Sequence, residues 1–308
     1  MTMELNEIIA FVSIYRIGNF TRAAEHLHLS QPAISRRIEL LERELGAPLF
    51  ERLSTGIRLT EAGTAFLPFA QQALAAIEDG KAAVYGIENE DRGTITLALV
   101  GTLASTQLTG HLQAFRSQHP RVRLYLRTGR SDEVSELVLQ GDAQLGLRYF
   151  TDPRTDICSI HAFNESLVVT CATQSKFFSH QPTRASELLD VPWVTYPIHA
   201  GSSGEPFALT LERQLLGNGL VAAERIIIDS LTAQKRVIEA DFGIGLLPRS
   251  SIEEELRLGT LRILPIESLQ TSVPIMAIYR RASYMSRASR ELLAMLTNHD
   301  NHNAPRTR

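Results

Sequence analysis

Between Asn19 and Leu45 the chain carries hydrogen-bond donors at helical spacing: Gln31, Ser35 and Arg36, with Pro32, Glu39 and Arg43 on the same side of a helical wheel. A glutamine side chain can pair through two bonds with an adenine edge and an arginine with a guanine edge, so this combination suits a helix lying in a major groove. On the opposite side Ile34, Ile38, Leu41 and Leu45 form a stripe at alternating four- and three-residue spacing. Such a stripe must be buried against neighbouring helices.

Ser30 and Pro32 mark the start of this helix, because a serine oxygen can accept from the first free amides and proline is tolerated in the first turn. Upstream, Phe20, Ala24 and Leu27 mark the inner face of a preceding helix, Ala23 and Ala24 are small enough to let two helices cross closely, and His28 with Leu29 makes the turn. Thr21, Ser30, Gln31, Pro32, Ser35, Arg36 and Arg37 are the candidate DNA contacts of this helix pair. A plain helical hairpin has the same periodicity, so spacing alone leaves that alternative open.

After the helix pair, the stretch Leu49 to Thr60 alternates around Gly56, as a short hairpin with glycine at its turn would. Arg52 and Arg58 on that hairpin could meet phosphates, contacts that add affinity without reading sequence. A solvated hairpin is the alternative. From Thr60, a candidate N-cap, one long helix is expected to about Ile87, interrupted in composition only by Pro68 and Gly80. Ala62, Phe66, Phe69, Ala73, Ala76, Gly80, Ala83 and Ile87 form one apolar stripe, and Leu67, Ala70, Leu74, Ile77 and Val84 a second. A lone helix cannot cover both, so a partner helix is expected, most simply the same helix of another subunit, unless both faces pack within one chain. Asn89 to Arg92, followed by Gly93, reads as a hinge.

Ala23, Ala24, Leu27, Ser30, Gln31, Pro32, Ala33, Ser35, Ile38, Leu41, Glu42 and Leu45, with Gly46, Leu49, Phe50, Arg52, Gly56, Leu59, Thr60, Ala62 and Gly63, resemble the N-terminal signature of LysR-type transcriptional regulators. The resemblance implies an α/β protein overall, with a mainly α winged helix-turn-helix at residues 1–60 and a linker and dimerisation helix with hinge at 61–91. A two-lobed, periplasmic-binding-protein-like α/β effector domain would follow at 92–297, with lobe I at 92–161 plus 268–297 and lobe II at 162–267. Residues 298–308 are expected to form a disordered tail. It further implies double-stranded promoter DNA as partner, a homodimer through the linker helix paired again into a homotetramer, and a small-molecule effector that shifts the placement of the reading heads. RNA polymerase is a candidate further partner. Family members often carry arginine just before the wing glycine; here the position is Thr55.

The order of elements after Gly93 agrees with that expectation. Strands at Ile95 to Gly101, Val122 to Arg127 and Gln144 to Arg148 alternate with helices at Thr106 to Ser117 and Asp132 to Gln140, the pattern of a parallel sheet with helices on both faces. A second set follows, with strands near Leu167 to Thr170, Trp193 to Thr195 and Arg225 to Ile228. Its helices fall near Phe207 to Leu216 and Leu231 to Ala240. The last strand and helix, Ser272 to Tyr279 and Met285 to Leu296, are expected to return to the first lobe, making two crossing strands.

Ligands of open α/β sheets bind beyond the carboxyl ends of the strands. The loops Gly101 to Thr106 and Gly201 to Phe207 each open a helix whose free amides and hydroxyls favour a carboxylate. Thr102, Ser105, Thr128, Arg148, Ser202 and Ser203 stand at strand ends that the family uses, so the resemblance implies an effector site there, with Gly101 beside them. Arg148 would supply its full positive charge and an organic acid would be the ligand. Phe150, Tyr196 and His199 could line the same space. Phe242 to Pro248 reads as structural, with Gly243 and Gly245 allowing close backbone approach.

The chain has 308 residues, 44% of them hydrophobic, and a formal net charge of -3, so basic character is positional and not global. It has no apolar run long enough for a bilayer and no secretory leader at its start, which predicts a soluble, cytoplasmic protein. Cys158 and Cys171 invite a thiol-redox reading; against it, Cys171 lies in an apolar strand with no lysine or histidine beside it. Metalloprotease, nucleophile-elbow, P-loop and paired CxxC motifs are missing, and the nine histidines are scattered. No catalytic residue, metal site or cofactor is expected. The alternative from another class is a ligand-binding protein whose N-terminal helices serve assembly only.

Overall fold

A computed structural model of the chain describes residues 3–53, 56–88, 93–104, 106–178, 180–198 and 206–297. Two compact units emerge, one made by the chain up to Tyr85 with Leu139–Asp142 and one by Gly86–Val138 with the chain from Ala143 onward.

The first unit contains α1 (Leu5–Ile17), α2 (Phe20–His26), α3 (Gln31–Leu45), β1 (Phe50–Leu53), β2 (Gly56–Leu59) and α4 (Glu61–Glu88). Helix α1, which the sequence pattern did not single out, ends at Gly18 in the left-handed conformation (φ 70°). Asn19 caps α2 through the Arg22 amide and Ser30 caps α3 through the Ala33 amide. The expected stripe of α3 is buried at Ile34, Ile38 and Leu41, whereas Leu45 in the last turn is 36% exposed. Ala23 and Ala24 are buried where α2 packs on α3. The Phe11 ring lies 5.3 Å from Phe50 and 5.4 Å from Phe66, so α1 is the plug that joins α4 and the hairpin to the helix pair. Full burial of each such side chain stabilises by about 1.5–3 kcal/mol.

Thr60 closes this unit. Its hydroxyl donates to the Pro48 carbonyl (2.6 Å) and accepts from the Gly63 amide (3.0 Å), which starts α4 beside the hairpin. A Cβ on Gly63 would stand 2.2 Å from the Leu49 carbonyl oxygen, so the helix approaches the strand as only glycine permits. Along α4, Ala62, Phe66, Leu67, Ala70 and Leu74 pack on the core of this unit. Phe69 and Val84, each 67% exposed, and Ala73, Ala76, Ile77 and Gly80 do not. The apolar surface thus divides by position along the helix as well as by face.

The second unit runs β3 (Gly93–Val100), α5 (Thr106–Gln118), β4 (Val122–Gly129), α6 (Ser131–Leu139), β5 (Leu145–Tyr149), β6 (Ile157–Ala172), β7 (Trp193–Thr195), α7 (Pro206–Gly217), β8 (Arg225–Ile227), α8 (Leu231–Glu239), β9 (Ile244–Pro248), α9 (Glu253–Leu258), β10 (Leu261–Leu264), β11 (Thr271–Arg280) and α10 (Arg287–Thr297). Among the described residues nine strands form one sheet in the order β4-β3-β5-β11-β6-β9-β7-β8, with β10 also on β6. The trios β4-β3-β5 and β9-β7-β8 are parallel, and the antiparallel pair β11 and β6 joins them.

These are the crossing strands expected from the sequence, but β6 is far longer than the apolar run Leu167 to Thr170 suggested. Its first ten residues carry His161, Asn164, Glu165 and Ser166, side chains that break an apolar pattern, yet pairing with β11 from Arg280↔Ile157 to Thr271↔Leu167 holds it extended. Strands β5 and β9 are buried along their whole length, as central strands covered on both faces must be. Gly243 and Gly245 serve the close approach anticipated, since a Cβ would meet the Pro192 carbonyl at 2.3 Å and Ile238 at 2.7 Å. Strand β10 and helix α9 went unread in the sequence.

Gly63→Ala should destabilise the first unit by about 1–3 kcal/mol, because the obstructing atom is backbone. Gly110→Ala, with nothing within 4 Å of the added carbon, should stabilise α5 by up to about 1 kcal/mol. Calorimetric unfolding checks the pair; equal transitions in both variants would contradict the packing argument.

Candidate nucleic-acid interface and ligand site

Helix α3 presents Gln31, Pro32 and Arg36 to solvent, with Ser35 and Arg37 half-buried. Gln31 Nε2 donates to Ser35 Oγ (3.0 Å), one turn on, and Arg36 pairs with Glu39 at 3.3 Å. Both Arg36 and Glu39 are more than half exposed. An exposed pair of that kind is worth only about 0.2–1 kcal/mol, so it is easily exchanged for a base edge or a phosphate. Thr21 and Ser30 are also exposed, Thr21 in the first turn of α2 and Ser30 at the cap of α3. The donor face anticipated from spacing is therefore assembled on one side of a helix whose other side is fixed in the core.

In the hairpin, Arg58 lies opposite Glu51 and its Nε donates to that carboxylate at 2.6 Å, with Arg58 68% exposed. Arg52 stands opposite Ile57 in the ladder; its side chain, like Thr55, lies outside the described residues.

In the second unit, the carboxyl ends of the parallel strands gather a different set. Thr102 follows β3 and its Oγ1 is 2.9 Å from the hydroxyl of Tyr149, the last residue of β5. The Tyr149 ring stacks on Phe207, in the first turn of α7, with centroids 4.2 Å apart and planes 16° apart. Tyr196, just past β7, meets Phe207 edge-on at 5.7 Å. Thr102 and Tyr196 are thus brought together through Tyr149 and Phe207. Tyr149 went unread, although it shares strand parity with the core residues Leu145 and Leu147. Gly101 is exposed beside Thr102, and Thr128 is exposed at the end of the edge strand β4. Ser105, His199, Gly201, Ser202 and Ser203 lie outside the described residues.

Arg148 requires a correction. Alternation along β5 turns it to the opposite face of the sheet from Tyr149, where it is 6% exposed and forms an ion pair with Asp152. Its Nη1 also donates to Ser135 of α6 (2.9 Å) and its Nε to the Tyr149 carbonyl (3.3 Å). Asp152 in turn accepts from the Arg154 backbone amide at 2.9 Å and from its Nε at 3.0 Å, and Arg154 pairs with Glu136. This guanidinium is therefore spent inside the protein and does not bring an uncompensated charge to Thr102. Phe150 holds a left-handed backbone (φ 60°), with its amide bound to the Pro274 carbonyl at 3.0 Å. It is half-buried beside this charged cluster.

The two cysteines sit in the same strand, thirteen residues apart. An extended chain of that length spans roughly 40 Å, so they cannot form a disulfide within one chain. Cys171 is fully buried and faces Arg262 in the β10 ladder. Burial raises its thiol above the ordinary value despite that arginine, which disfavours the reactive thiolate. Among the described residues no cluster of metal-ligating side chains occurs and no helix is long and apolar enough to cross a membrane.

Burial opposes ionisation of Asp152, but the bonds from Arg154 and Ser135 outweigh it and hold the carboxyl down to about 2, from 3.8. A carboxylate with a depressed folded value contributes stability that is present above its unfolded value and lost as pH falls through the folded one. Asp152→Asn should accordingly destabilise the second unit by roughly 3 kcal/mol near neutral pH, since it also strips Arg148 of its counter-ion. The gap should narrow between pH of about 4 and 2. Denaturant unfolding across that range checks it, and a pH-independent gap would contradict the assignment.

The chain matches two family models, one described as bacterial regulatory helix-turn-helix protein, lysR family, over residues 5–64, and one as LysR substrate binding domain over residues 88–301. It is 27% identical over 270 residues to the uncharacterized HTH-type transcriptional regulator YwqM of Bacillus subtilis, covering 86% of this chain and 89% of that one. The HTH-type transcriptional regulator CitR of the same organism is 24% identical over 295 residues, with 96% and 99% covered. Among solved structures, a full-length OxyR variant from Pseudomonas aeruginosa superposes with a TM-score of 0.74 at 19% identity, covering 96% of this chain and 95% of that one. Full-length CbnR in complex with its target DNA gives 0.65 at 24% identity, with 96% and 99% covered. The capped helix pair with its wing, followed by an α/β unit built on two crossing strands, places this chain in the LysR family of helix-turn-helix transcriptional regulators.

Proposed function

We propose that the chain binds its promoter as a symmetric assembly through Gln31, Ser35 and Arg36, and that a small organic molecule held near Thr102 modulates that binding. The observation that carries the first part is the exposed donor face of α3, capped by Ser30 and held by the buried Ile34, Ile38 and Leu41. CbnR, of the same fold, has been solved on its target DNA. Thr21, Ser30, Pro32, Arg37, Arg52 and Arg58 would contribute register and affinity through the backbone. For the ligand, the carrying observation is the convergence of Thr102, Tyr149, Tyr196 and Phe207 at strand ends, with Gly101, Ser105, Thr128, Phe150, Ser202 and Ser203 as further wall candidates. With Arg148 committed to Asp152, an anionic ligand would rely on hydroxyls and helix amides.

Two surfaces support self-assembly. Phe69, Ala73, Ala76, Ile77, Gly80 and Val84 leave the far part of α4 uncovered, enough for a second copy of that helix. The edge strand β4 exposes Tyr125 (55%) and Leu126 (52%) beside a groove of about 750 Å³ that Leu112 and Arg116 of α5 also line. An unpaired apolar edge of that kind favours a second, independent pairing into a tetramer. No catalysis is assigned, and the site of action is the cytoplasm.

Gel-shift titration against the protein's own promoter region should show salt-dependent preference over random DNA. Gln31→Ala and Arg36→Ala should each weaken specific binding about 10- to 100-fold, with assembly intact by sedimentation. Unchanged promoter affinity in both would refute the reading face. Phe69→Asp should dissociate the α4 pair, whereas Tyr125→Asp should halve the assembly and spare the dimer; an unaltered sedimentation coefficient in either case would remove that surface.

A further inference from the structure

Between the two parallel trios the sheet narrows to a neck of two strands. Asn164–Ser166 of β6 pair with Ser272–Pro274 of β11, and among the described residues no third strand pairs with either stretch. The ladder with β5 begins only at Ile275, and that with β9 only at Leu167. Pro274 has no amide to donate, and its carbonyl accepts from the Phe150 amide at 3.0 Å. On β6 the Glu165 carboxyl group is 5% exposed and accepts from both the amide (3.2 Å) and the hydroxyl (2.6 Å) of Ser250. Ser250 belongs to the short 3-10 turn Arg249–Ile252, which joins β9 to α9.

This carboxyl group has no counter-charge: among the described residues no basic group stands within 4 Å of it. Arg249 of the turn is exposed. Lys235 of α8 is paired with Glu255 of α9 and donates to the Ser251 carbonyl. Of the other elements packed on β6 or on the turn, α5 carries His111 and Arg116, and α10 carries Arg287, Arg290 and Glu291. Glu267 precedes β11, Glu254 and Arg257 complete the charges of α9, and Arg262 of β10 lies opposite Cys171. Directly across the ladder stands Val273. The charge that acts on Glu165 is Glu253, of like sign. Burial, with that like charge, lifts the carboxyl above its ordinary value against the lowering effect of the two Ser250 bonds.

We propose that Glu165 is a charge-sensitive latch on the neck: as the neutral acid it seats the Arg249–Ile252 turn against β6, and as the carboxylate it favours release of that turn. Both forms can hold Ser250. The neutral acid donates its O–H to the hydroxyl oxygen and accepts from the amide. The anion accepts from both, but it is buried without a counter-charge and regains hydration only when the turn lifts. Because the group titrates higher in the seated state than in water, the seat is fully stable below the ordinary glutamate range and weakens as pH rises through the raised value. Asp152 works in the opposite sense. A neck two strands wide has little else to stiffen it, so release of the turn loosens the joint between the trios.

Hydrogen exchange of the full-length protein between pH of about 5 and 9 tests it, with Glu165→Gln as the neutral, isosteric reference. Comparing one peptide in two proteins at each pH cancels the intrinsic pH dependence of amide exchange. The wild-type rate over Arg249–Leu258, divided by that of Glu165→Gln, should climb with pH by about tenfold, equal to about 1.4 kcal/mol. The Thr271–Ile275 peptide of the neck should follow it. Ser250→Ala removes a donor that favours the anion, so its profile should turn at higher pH than that of the wild type and climb further. If Glu165→Gln does not fold, the comparison of Ser250→Ala with the wild type decides alone. A ratio independent of pH, a Ser250→Ala profile identical to the wild type, or a rise over Arg249–Leu258 that leaves Thr271–Ile275 unmoved would each overturn the proposal. An equal rise over the distant β4 would do so too, since it would mark general loosening.

Discussion

The antiparallel pairing of β6 with β11 is the contact on which the larger unit depends. Each strand is long enough to serve both parallel trios: β11 pairs with β5 through Ile275 to Ile278, and β6 with β9 through Leu167 to Thr170. Remove that shared ladder and two small parallel sheets remain, each with an open edge of unpaired backbone. Because both trios hang from the same pair, Thr102, Tyr149, Tyr196 and Phe207 reach one place although they come from separate stretches of chain. The same extended strand keeps Cys158 and Cys171 apart, which is why two thiols in one polypeptide do not amount to a redox pair.

Charge is distributed by the pleat. Successive residues of β5 face opposite ways, so Arg148 and Tyr149, neighbours in sequence, serve different neighbourhoods. Arg148 goes to Ser135 and Asp152, where two arginines, Arg148 and Arg154, and two carboxylates, Asp152 and Glu136, make a compensated cluster. Tyr149 goes to the aromatic cluster, within hydrogen-bond reach of Thr102. On the proposed reading, the ligand seat is neutral in its side chains and is built beside a charged buttress that stiffens it.

The reading head follows a simpler rule. Helix α3 has one apolar stripe and one donor face, and α1, α2, the hairpin and the start of α4 exist to cover the stripe. What faces solvent is held by exchangeable contacts, Gln31 to Ser35 and Arg36 to Glu39, which a duplex could replace at little loss. Further along α4 the covering elements run out, and apolar side chains such as Phe69 and Val84 remain exposed.

Periodicity and local residue types determined the helix pair, the cap at Ser30, the long helix from Thr60 and most strands and helices of the α/β unit, because those depend on side chains within a turn or two of each other. It also made Gln31, Ser35 and Arg36 legible as one face. Only the tertiary structure decided what depends on distant partners. Polar residues such as Asn164 and Glu165 lie in a strand because β11 pairs with them, and Leu45 is partly exposed because the core ends before it. Arg148 is consumed by Asp152, four residues on but across a turn. Tyr149 emerges as the centre of the candidate ligand site because Thr102 and Phe207 arrive from 47 and 58 residues away, a convergence no local pattern encodes.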